Sequence, residues 1–169
     1  DHFAKAQNMT DTLSALTRLS KYAGNKYEKA MGEYYEKWKD DSLVMNKWFS
    51  VASLSKSDKC FEQIKEKTQT EAFELTNPNK VFSLFYQFAQ YNWPQFHKEN
   101  GETYEWYADQ VIQVDKSNPQ VASRLGSCFN NWKKFGPEYR INLEKAIQKI
   151  IDSKPSDNLY EIVSKALNN

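Results

Sequence analysis

Apolar residues recur along the chain at intervals of three and four, the spacing that places them on one face of an α-helix. We find no alternation of apolar and polar residues typical of a strand, so the pattern predicts helices throughout. The first helix follows Thr10 and Asp11, either of which could cap it. About ten apolar stripes are visible, around residues 13–19, 27–38, 43–52, 61–64, 81–89, 93–96, 104–112, 121–132, 139–151 and 159–167.

Prolines mark the places where one stripe ends and the next begins. Proline is tolerated in the first turn of a helix but not in its interior, because it lacks the N–H that the interior needs. Asn77-Pro78 and Asn118-Pro119 therefore predict an asparagine N-cap followed by proline at the first helical position. Pro94 and Pro137 follow similar breaks.

Short helices joined by tight connections are typical of stacked antiparallel helix pairs. We therefore expect an all-α fold, a superhelical, α-solenoid-like stack of about ten short antiparallel helices. The sequence has no clean internal repeat, so it does not indicate a named repeat class. No low-complexity segment or charge run divides the chain, which predicts a single domain over residues 1–169.

The charge balance gives no indication that the chain binds nucleic acid or a membrane surface. The chain has 23 Lys and Arg against 22 Asp and Glu, a formal net charge of +1. No apolar run approaches the ~20 residues that a membrane-spanning helix needs. The two cysteines, Cys60 and Cys128, form no CxxC motif, which favours reduced thiols and a cytoplasmic setting.

The residues that catalysis or metal binding would need are scarce. His2 and His97 are the only histidines, they lie far apart in sequence, and no HExxH motif occurs. His97 reads as a surface or helix-end histidine, and no glycine-rich phosphate-binding loop is present. The residues taken alone predict no catalytic group and no metal ligand, and they favour a helical interaction or structural domain.

Other clusters have ordinary structural interpretations. Glutamates such as Glu62 and Glu66 alternate with lysines and predict solvated pairs on helix surfaces. The aromatic residues around Phe85 could stack on bases, but no basic groove accompanies them, so core packing is favoured. Core packing is also predicted for Trp38, Trp48 and Trp132.

Six strings in fixed order carry a resemblance to a known family. They are QNMTDTLSAL (7–16), YYEKWKDDSLVMNKWFSVAS (34–53), TNPNKVFSL (76–84), FHKENGETY (96–104), NPQVASRL (118–125) and LYEIVSKAL (159–167). In order and spacing they closely resemble the C-terminal helical domain of bacterial aminopeptidase N, also called alanyl aminopeptidase. That family comprises zinc aminopeptidases of the gluzincin group, and the resemblance runs from about Asn8 to the end.

The resemblance implies that this chain is the C-terminal part of a larger multidomain enzyme. The family's HExxH motif, its further glutamate ligand and its GAMEN motif lie in an upstream catalytic domain, so zinc belongs there and not to this chain. The resemblance further implies that this helical domain packs against the catalytic domain of the same polypeptide. It would close an internal chamber that admits peptide substrates and restricts water.

Two residues of NPQVASRL acquire a possible role from this resemblance. In similar enzymes the glutamine and arginine of the motif face the chamber beyond the scissile bond, which implies the same for Gln120 and Arg124. The two side chains stand one helical turn apart and should share a face. Arg124 could bind a peptide carbonyl or carboxylate through its planar guanidinium. The alternative is an arginine that pairs with an acid at a domain interface.

The TNPN segment supplies three further candidates, Asn77, Asn79 and Lys80. Relatives often carry a basic residue where Lys80 stands, and some carry another two positions later. This chain has Phe82 at that second place, so a basic cluster cannot be carried over. For Asn77 and Asn79, helix capping is the favoured interpretation.

Two functions thus follow from the sequence. The first is a non-catalytic domain of a bacterial, cytoplasmic zinc aminopeptidase that removes N-terminal residues from peptides. The second is a free-standing helical-repeat module that binds a partner protein. An upstream HExxH in the same reading frame would favour the first.

Overall fold

All of the regular secondary structure in the described residues is helical. A computed structural model describes residues 3, 8–22 and 24–168. Within those residues the regular elements are α-helices with short 3₁₀ and π segments, and no strand occurs. The predicted all-α fold is confirmed. No helix in the described ranges is long and apolar enough to cross a membrane, and His2 lies outside them.

Eleven α-helices occur among the described residues, close to the predicted number. They are α1 Met9–Ser20, α2 Asn25–Trp38, α3 Ser42–Ser53, α4 Cys60–Lys67, α5 Pro78–Val81, α6 Gln87–Tyr91, α7 Trp93–Phe96, α8 Glu102–Asp115, α9 Pro119–Gly126, α10 Pro137–Asp152 and α11 Asp157–Asn168. A π-helical segment, Phe82–Tyr86, joins α5 to α6 without a break. The short apolar stripe at residues 93–96 forms a single helical turn, α7.

The chain divides into two compact units, Asp1–Gln95 and Phe96–Asn169, which are described separately below. In the first unit α3 packs against α1, α2, α4 and the π-helical segment. In the second unit α8 packs against α9 and α10, and α11 packs against α9 and α10. The grouping of all 169 residues into one domain of a larger enzyme stays a prediction.

Side-chain caps begin three helices of the first unit. Asn8 accepts a hydrogen bond from the Asp11 N–H, so α1 begins before Thr10 and the cap predicted at Thr10 or Asp11 is wrong. Asp41 accepts from the N–H groups of Leu43 and Val44 at the start of α3. These caps satisfy N–H groups that the first turn of a helix leaves without a partner.

Trp48 is the centre of the core of the first unit. Its indole N–H donates to the Met31 carbonyl at 2.9 Å, which ties α3 to α2. The Trp48 ring lies 5.0 Å from Tyr35 and 5.2 Å from Phe49, between centroids. Trp48 and Trp132 are buried as predicted, whereas Trp38 is only half-buried at the end of α2.

Asn92 joins distant segments of the first unit through its buried side-chain amide. The amide nitrogen donates to the carbonyls of Ser53, at 2.9 Å, and Ser55, at 2.8 Å. These carbonyls belong to the end of α3 and the turn after it, where helix geometry supplies no intrahelical donor. Asn92 follows α6 directly, so one side chain connects the ends of two helices.

The second unit begins two of its helices in the way that proline spacing predicts. Asn118 accepts from the Val121 N–H at 3.1 Å, with Pro119 at the first position of α9. Pro137 likewise opens α10. The start of α11 is held by another part of the unit, because the Asp115 carboxylate accepts from both the N–H and the hydroxyl of Ser156.

The stripe around residues 121–132 does not form one helix. The α-helix α9 ends at Gly126, and two 3₁₀ turns follow, Ser127–Phe129 and Trp132–Lys134. Trp132 is still buried, and its indole N–H donates to the Ala166 carbonyl of α11 at 2.7 Å. A side chain at Gly126 would meet Leu159 of α11 at 2.8 Å, so the glycine permits close packing of the two helices.

His97 contributes to the core of the second unit. Its ring stacks on Phe135 with centroids 4.0 Å apart, and its Nδ1 lies 2.8 Å from the Tyr104 hydroxyl. His97 does follow a helix end, as expected, but it is half-buried rather than on the surface. Burial lowers the pKa of His97 from 6.5 to about 4, which keeps the ring neutral near pH 7.

We predict that Asn92→Ala destabilises the chain by about 2–4 kcal/mol, because it leaves two buried carbonyls without their donor. The measurement is the free energy of unfolding in urea. Asn131→Ala is the matched control, because Asn131 is exposed and its side chain makes no capping hydrogen bond. Equal stability of the two variants would contradict the structural role of Asn92.

We predict that His97 makes stability depend on pH between about 6.5 and 4. Its folded pKa lies below its unfolded value, so the unfolded state binds more protons in this window. The free energy of unfolding should be highest above pH 6.5 and should fall as the pH drops towards 4. His97→Phe, which cannot titrate, should give a flatter profile over this window.

Unfolding curves at several pH values test this difference. His2→Gln removes the other histidine and serves as the control, which should keep the slope of the unmodified chain. The prediction fails if His97→Phe and His2→Gln have the same pH dependence.

Candidate functional site

Gln120 and Arg124 stand one turn apart on α9, and both are exposed. Their placement follows from the local sequence, because the Asn118 cap and Pro119 fix where the helix begins. The predicted common polar face therefore exists within α9. Its role towards a substrate stays a prediction.

The buried face of α9, adjacent to the polar one, fixes the orientation of this helix. Val121, Ala122 and Leu125 are buried in the second unit. The hydroxyl of the buried Tyr107 of α8 donates to the Leu125 carbonyl at 3.3 Å and lies 3.5 Å from Cys128 Sγ. Because this side is packed, the side chains of Gln120 and Arg124 point away from the core of the unit.

The groups on the polar face are suited to binding rather than to catalysis. The hydroxyl of Ser123 in α9 donates to the Gln120 carbonyl, and the hydroxyl of Ser127, just after α9, donates to the Arg124 carbonyl. The Gln120 amide and the Arg124 guanidinium belong to exposed residues of this face, and a guanidinium offers donors in a planar fork. Burial raises the pKa of the nearby Cys128 to about 11, so this thiol is protonated and a poor nucleophile.

The TNPN segment is placed at the start of α5 in the first unit. The Asn77 side chain accepts from the N–H groups of Asn79, at 3.1 Å, and Lys80, at 3.4 Å. The capping interpretation is confirmed for Asn77, whereas Asn79 flanks the cap and is exposed.

Lys80 is folded into the first unit instead of projecting from it. Its side chain is only 7% exposed, and its ammonium donates to the Ala72 carbonyl. This contact holds the segment before α5 against the helix. Phe82, at the place where the resemblance would allow a second basic residue, packs edge to face on Tyr86 with ring centroids 6.0 Å apart. The described contacts thus give Lys80 a structural role, and its substrate role stays a prediction.

Sequence reasoning missed a groove of about 590 Å³ between α2 and α4 of the first unit. Trp48 contributes to its lining, and Lys67 Nζ lies 4.7 Å from the centre of the Trp48 ring. Burial lowers the pKa of Lys67, although the spacing of charges on α4 suggested an ordinary solvated lysine. The burial of Lys67 could not be predicted from α4 alone, because Trp48 lies on a different helix, α3.

The described residues include no group of three or more His, Cys, Asp or Glu side chains that could hold a metal ion. The glutamates on α2 form surface pairs of the predicted kind, with Lys29 3.8 Å from Glu33 and Lys39 2.9 Å from Glu36. The predicted site residues Gln120 and Arg124 can supply hydrogen bonds, and Arg124 also supplies a positive charge.

A known protein family matches nearly the whole chain. Residues 1–168 match the family described as "Domain of unknown function (DUF3458_C) ARM repeats". The ARM-repeat description agrees with the expected solenoid-like helical stack, although the sequence alone showed no clean repeat.

Curated relatives and a solved structure match almost the whole chain. Aminopeptidase N of Caulobacter vibrioides is 34% identical over 98% of the chain, and those of Haemophilus influenzae and Escherichia coli are 33% and 32% identical over 98%. The crystal structure of Legionella pneumophila aminopeptidase A in complex with aspartic acid matches 99% of the chain at 31% identity, with a TM-score of 0.92.

The matches cover only a small share of those proteins. The chain spans 19% of the length of the curated relatives and 20% of the Legionella chain. The matching part is a C-terminal portion of the aminopeptidases, so the resemblance found in the six sequence strings is confirmed. The chain belongs to the DUF3458_C family of ARM-repeat helical domains.

Proposed function

We propose that this chain is the non-catalytic C-terminal domain of a zinc aminopeptidase that removes N-terminal residues from peptides. In this proposal it closes and lines an internal chamber above the active site. The observation that carries the proposal is the match of nearly the whole chain to a fifth of each aminopeptidase. Zinc, which would activate the attacking water, belongs to the preceding catalytic domain of the same polypeptide.

The polar face of α9 is the part of this chain that we assign to substrate. Gln120 and Arg124 are exposed on a helix whose other side is packed, so they can meet a peptide without disturbing the core. Their donors match the acceptors of a peptide beyond the scissile bond, which are backbone carbonyls and a C-terminal carboxylate. Such contacts hold the substrate in position, and the chamber walls restrict water.

The TNPN segment has a smaller part in the proposal. Asn79 is exposed beside the Asn77 cap and can contact a neighbouring surface, whereas Lys80 supports the segment from within.

We place the enzyme in the bacterial cytoplasm, a setting that suits the two free thiols, Cys60 and Cys128. Its partners are the catalytic domain and peptides, and neither nucleic acid nor a membrane is involved.

A free-standing helical-repeat module that binds a partner protein is the second candidate function. The ARM-repeat description favours it, because helical solenoids present extended binding surfaces. The coding sequence upstream of this chain distinguishes the two candidate functions. An upstream HExxH motif in the same reading frame supports the enzyme domain, and a start codon immediately before Asp1 supports the module.

We predict that the isolated 169-residue chain hydrolyses no aminoacyl arylamide and binds no stoichiometric zinc. The measurements are chromogenic assay of the purified chain and elemental analysis after dialysis. Hydrolysis by the pure chain that is lost on chelation would contradict the assignment of catalysis to another domain.

We predict that Arg124→Ala in the full-length enzyme lowers kcat/KM for tripeptides by about three- to tenfold, because one solvent-exposed hydrogen bond is lost. Aminoacyl arylamides have no residue beyond the scissile bond, so their kcat/KM should change little. The ratio of the two effects is the readout, because a general loss of folding would lower both equally.

Lys134→Ala is the control for this experiment. Lys134 is an exposed cation in the same unit, on the 3₁₀ turn Trp132–Lys134. Its removal should leave the ratio unchanged. Equal losses for peptides and arylamides in the Arg124 variant would remove the substrate contact from the proposal and would favour an arginine at a domain interface.

A further inference from the structure

A second groove lies between α1 and α3 in the first unit, away from every residue assigned above. Its volume is about 420 Å³. We name it the α1–α3 groove, and it is lined chiefly by Leu13, Thr17, Asn46, Ser50, Val51 and Leu54. Apart from Lys47, the lining side chains are apolar or small and neutral, so the groove suits an apolar side chain better than a charged ligand.

An exposed leucine extends the apolar surface along α3. Leu43 is 75% exposed, and it precedes Lys47 and Ser50 of the groove by four and seven residues. That spacing places all three on one helix face. An exposed leucine alone is unremarkable, but next to an open apolar groove it enlarges a patch of the kind found at interaction sites.

Asn46, a lining residue of the groove, has a polar atom without a hydrogen-bond partner in the part of the chain that is described. Its side-chain oxygen Oδ1 is buried and has no hydrogen-bond partner in the described residues. A buried acceptor without a donor costs free energy, so native proteins nearly always satisfy one. Asn46 lines the groove, so rotation of its side chain towards an occupant with an N–H or O–H group would satisfy this oxygen.

We propose that the α1–α3 groove is the docking surface for the part of the same polypeptide that precedes this chain. This inference rests on the proposed function, because it requires the longer aminopeptidase. The matched relatives hold about four fifths of their length outside the region covered here, and the covered region is their C-terminal portion. The groove is built partly by α1, the first helix after the junction with that preceding part.

The chemistry of the groove specifies its occupant. An apolar side chain would fill the space above Val51 and Leu54, and a donor would meet the Asn46 oxygen. Lys47 is the charged residue among the lining side chains and is exposed, so an acidic group of the occupant would face it at the rim. An apolar centre with a polar rim is the usual arrangement of a protein interface.

Hydroxyl-radical footprinting tests the docking surface in unmodified protein. The oxidation rate of Leu43 is measured in the 169-residue chain and in the full-length product of the gene. We expect Leu43 to be oxidised several-fold more slowly in the full-length protein, because docking covers it. An unchanged oxidation rate of Leu43 would overturn the proposal.

Substitution supplies a second measurement. Leu43→Asp should leave the stability of the 169-residue chain nearly unchanged, because the side chain is exposed and an acid near a helix N-terminus is tolerated. The same change should lower the thermal midpoint of the full-length protein. Ile141→Asp is the matched control, an aliphatic residue 58% exposed on α10, and it should have the smaller effect. Equal effects of the two changes on the full-length protein would count against docking.

The outcomes separate this inference from the proposed function. A full-length enzyme that is active on peptides but leaves Leu43 fully exposed keeps the proposed function and overturns the docking surface. A gene that encodes no preceding domain overturns both, because the proposed occupant then does not exist.

Discussion

The structure depends on satisfying the ends of short helices. Helices of 8–16 residues are marginal in water, since nucleation is unfavourable and each end leaves backbone groups without partners. Here asparagine and aspartate side chains cap several N-termini, and the Asn92 amide serves the carbonyl end of α3. Each cap fixes where a helix begins, and the spacing of apolar residues within the helix decides which face is buried and which face is left for binding.

This constraint explains how much of the fold could be predicted. The Asn-Pro pairs at Asn77 and Asn118 act locally, so their capping role could be predicted without knowledge of distant residues. The cap at Asn8 was missed because Thr10 and Asp11 offer the same chemistry nearby. The end of α9 at Gly126 was missed because the apolar spacing continues into the 3₁₀ turns that follow the helix.

The candidate site was predictable only where it depends on one helix, and not where it depends on contacts between separate segments. The shared face of Gln120 and Arg124 follows from helical spacing alone, and it is present in α9. The burial of Lys80 depends on the Ala72 carbonyl, and the half-buried position of Lys67 depends on Trp48 of another helix. The α1–α3 groove likewise needs two helices, so no single stretch of sequence could indicate it. In our two proposals, α9 contacts the substrate and the α1–α3 groove contacts the rest of the enzyme.

Photochemical cross-linking tests the central claim, that this chain forms part of the wall against which an aminopeptidase holds its peptide. A peptide analogue with a benzophenone side chain beyond the scissile position is bound to the full-length enzyme, irradiated and mapped by mass spectrometry. The account predicts adducts within residues 119–127, which carry Gln120 and Arg124, and their loss when unlabelled peptide competes. Specific adducts that all lie outside this chain would contradict it.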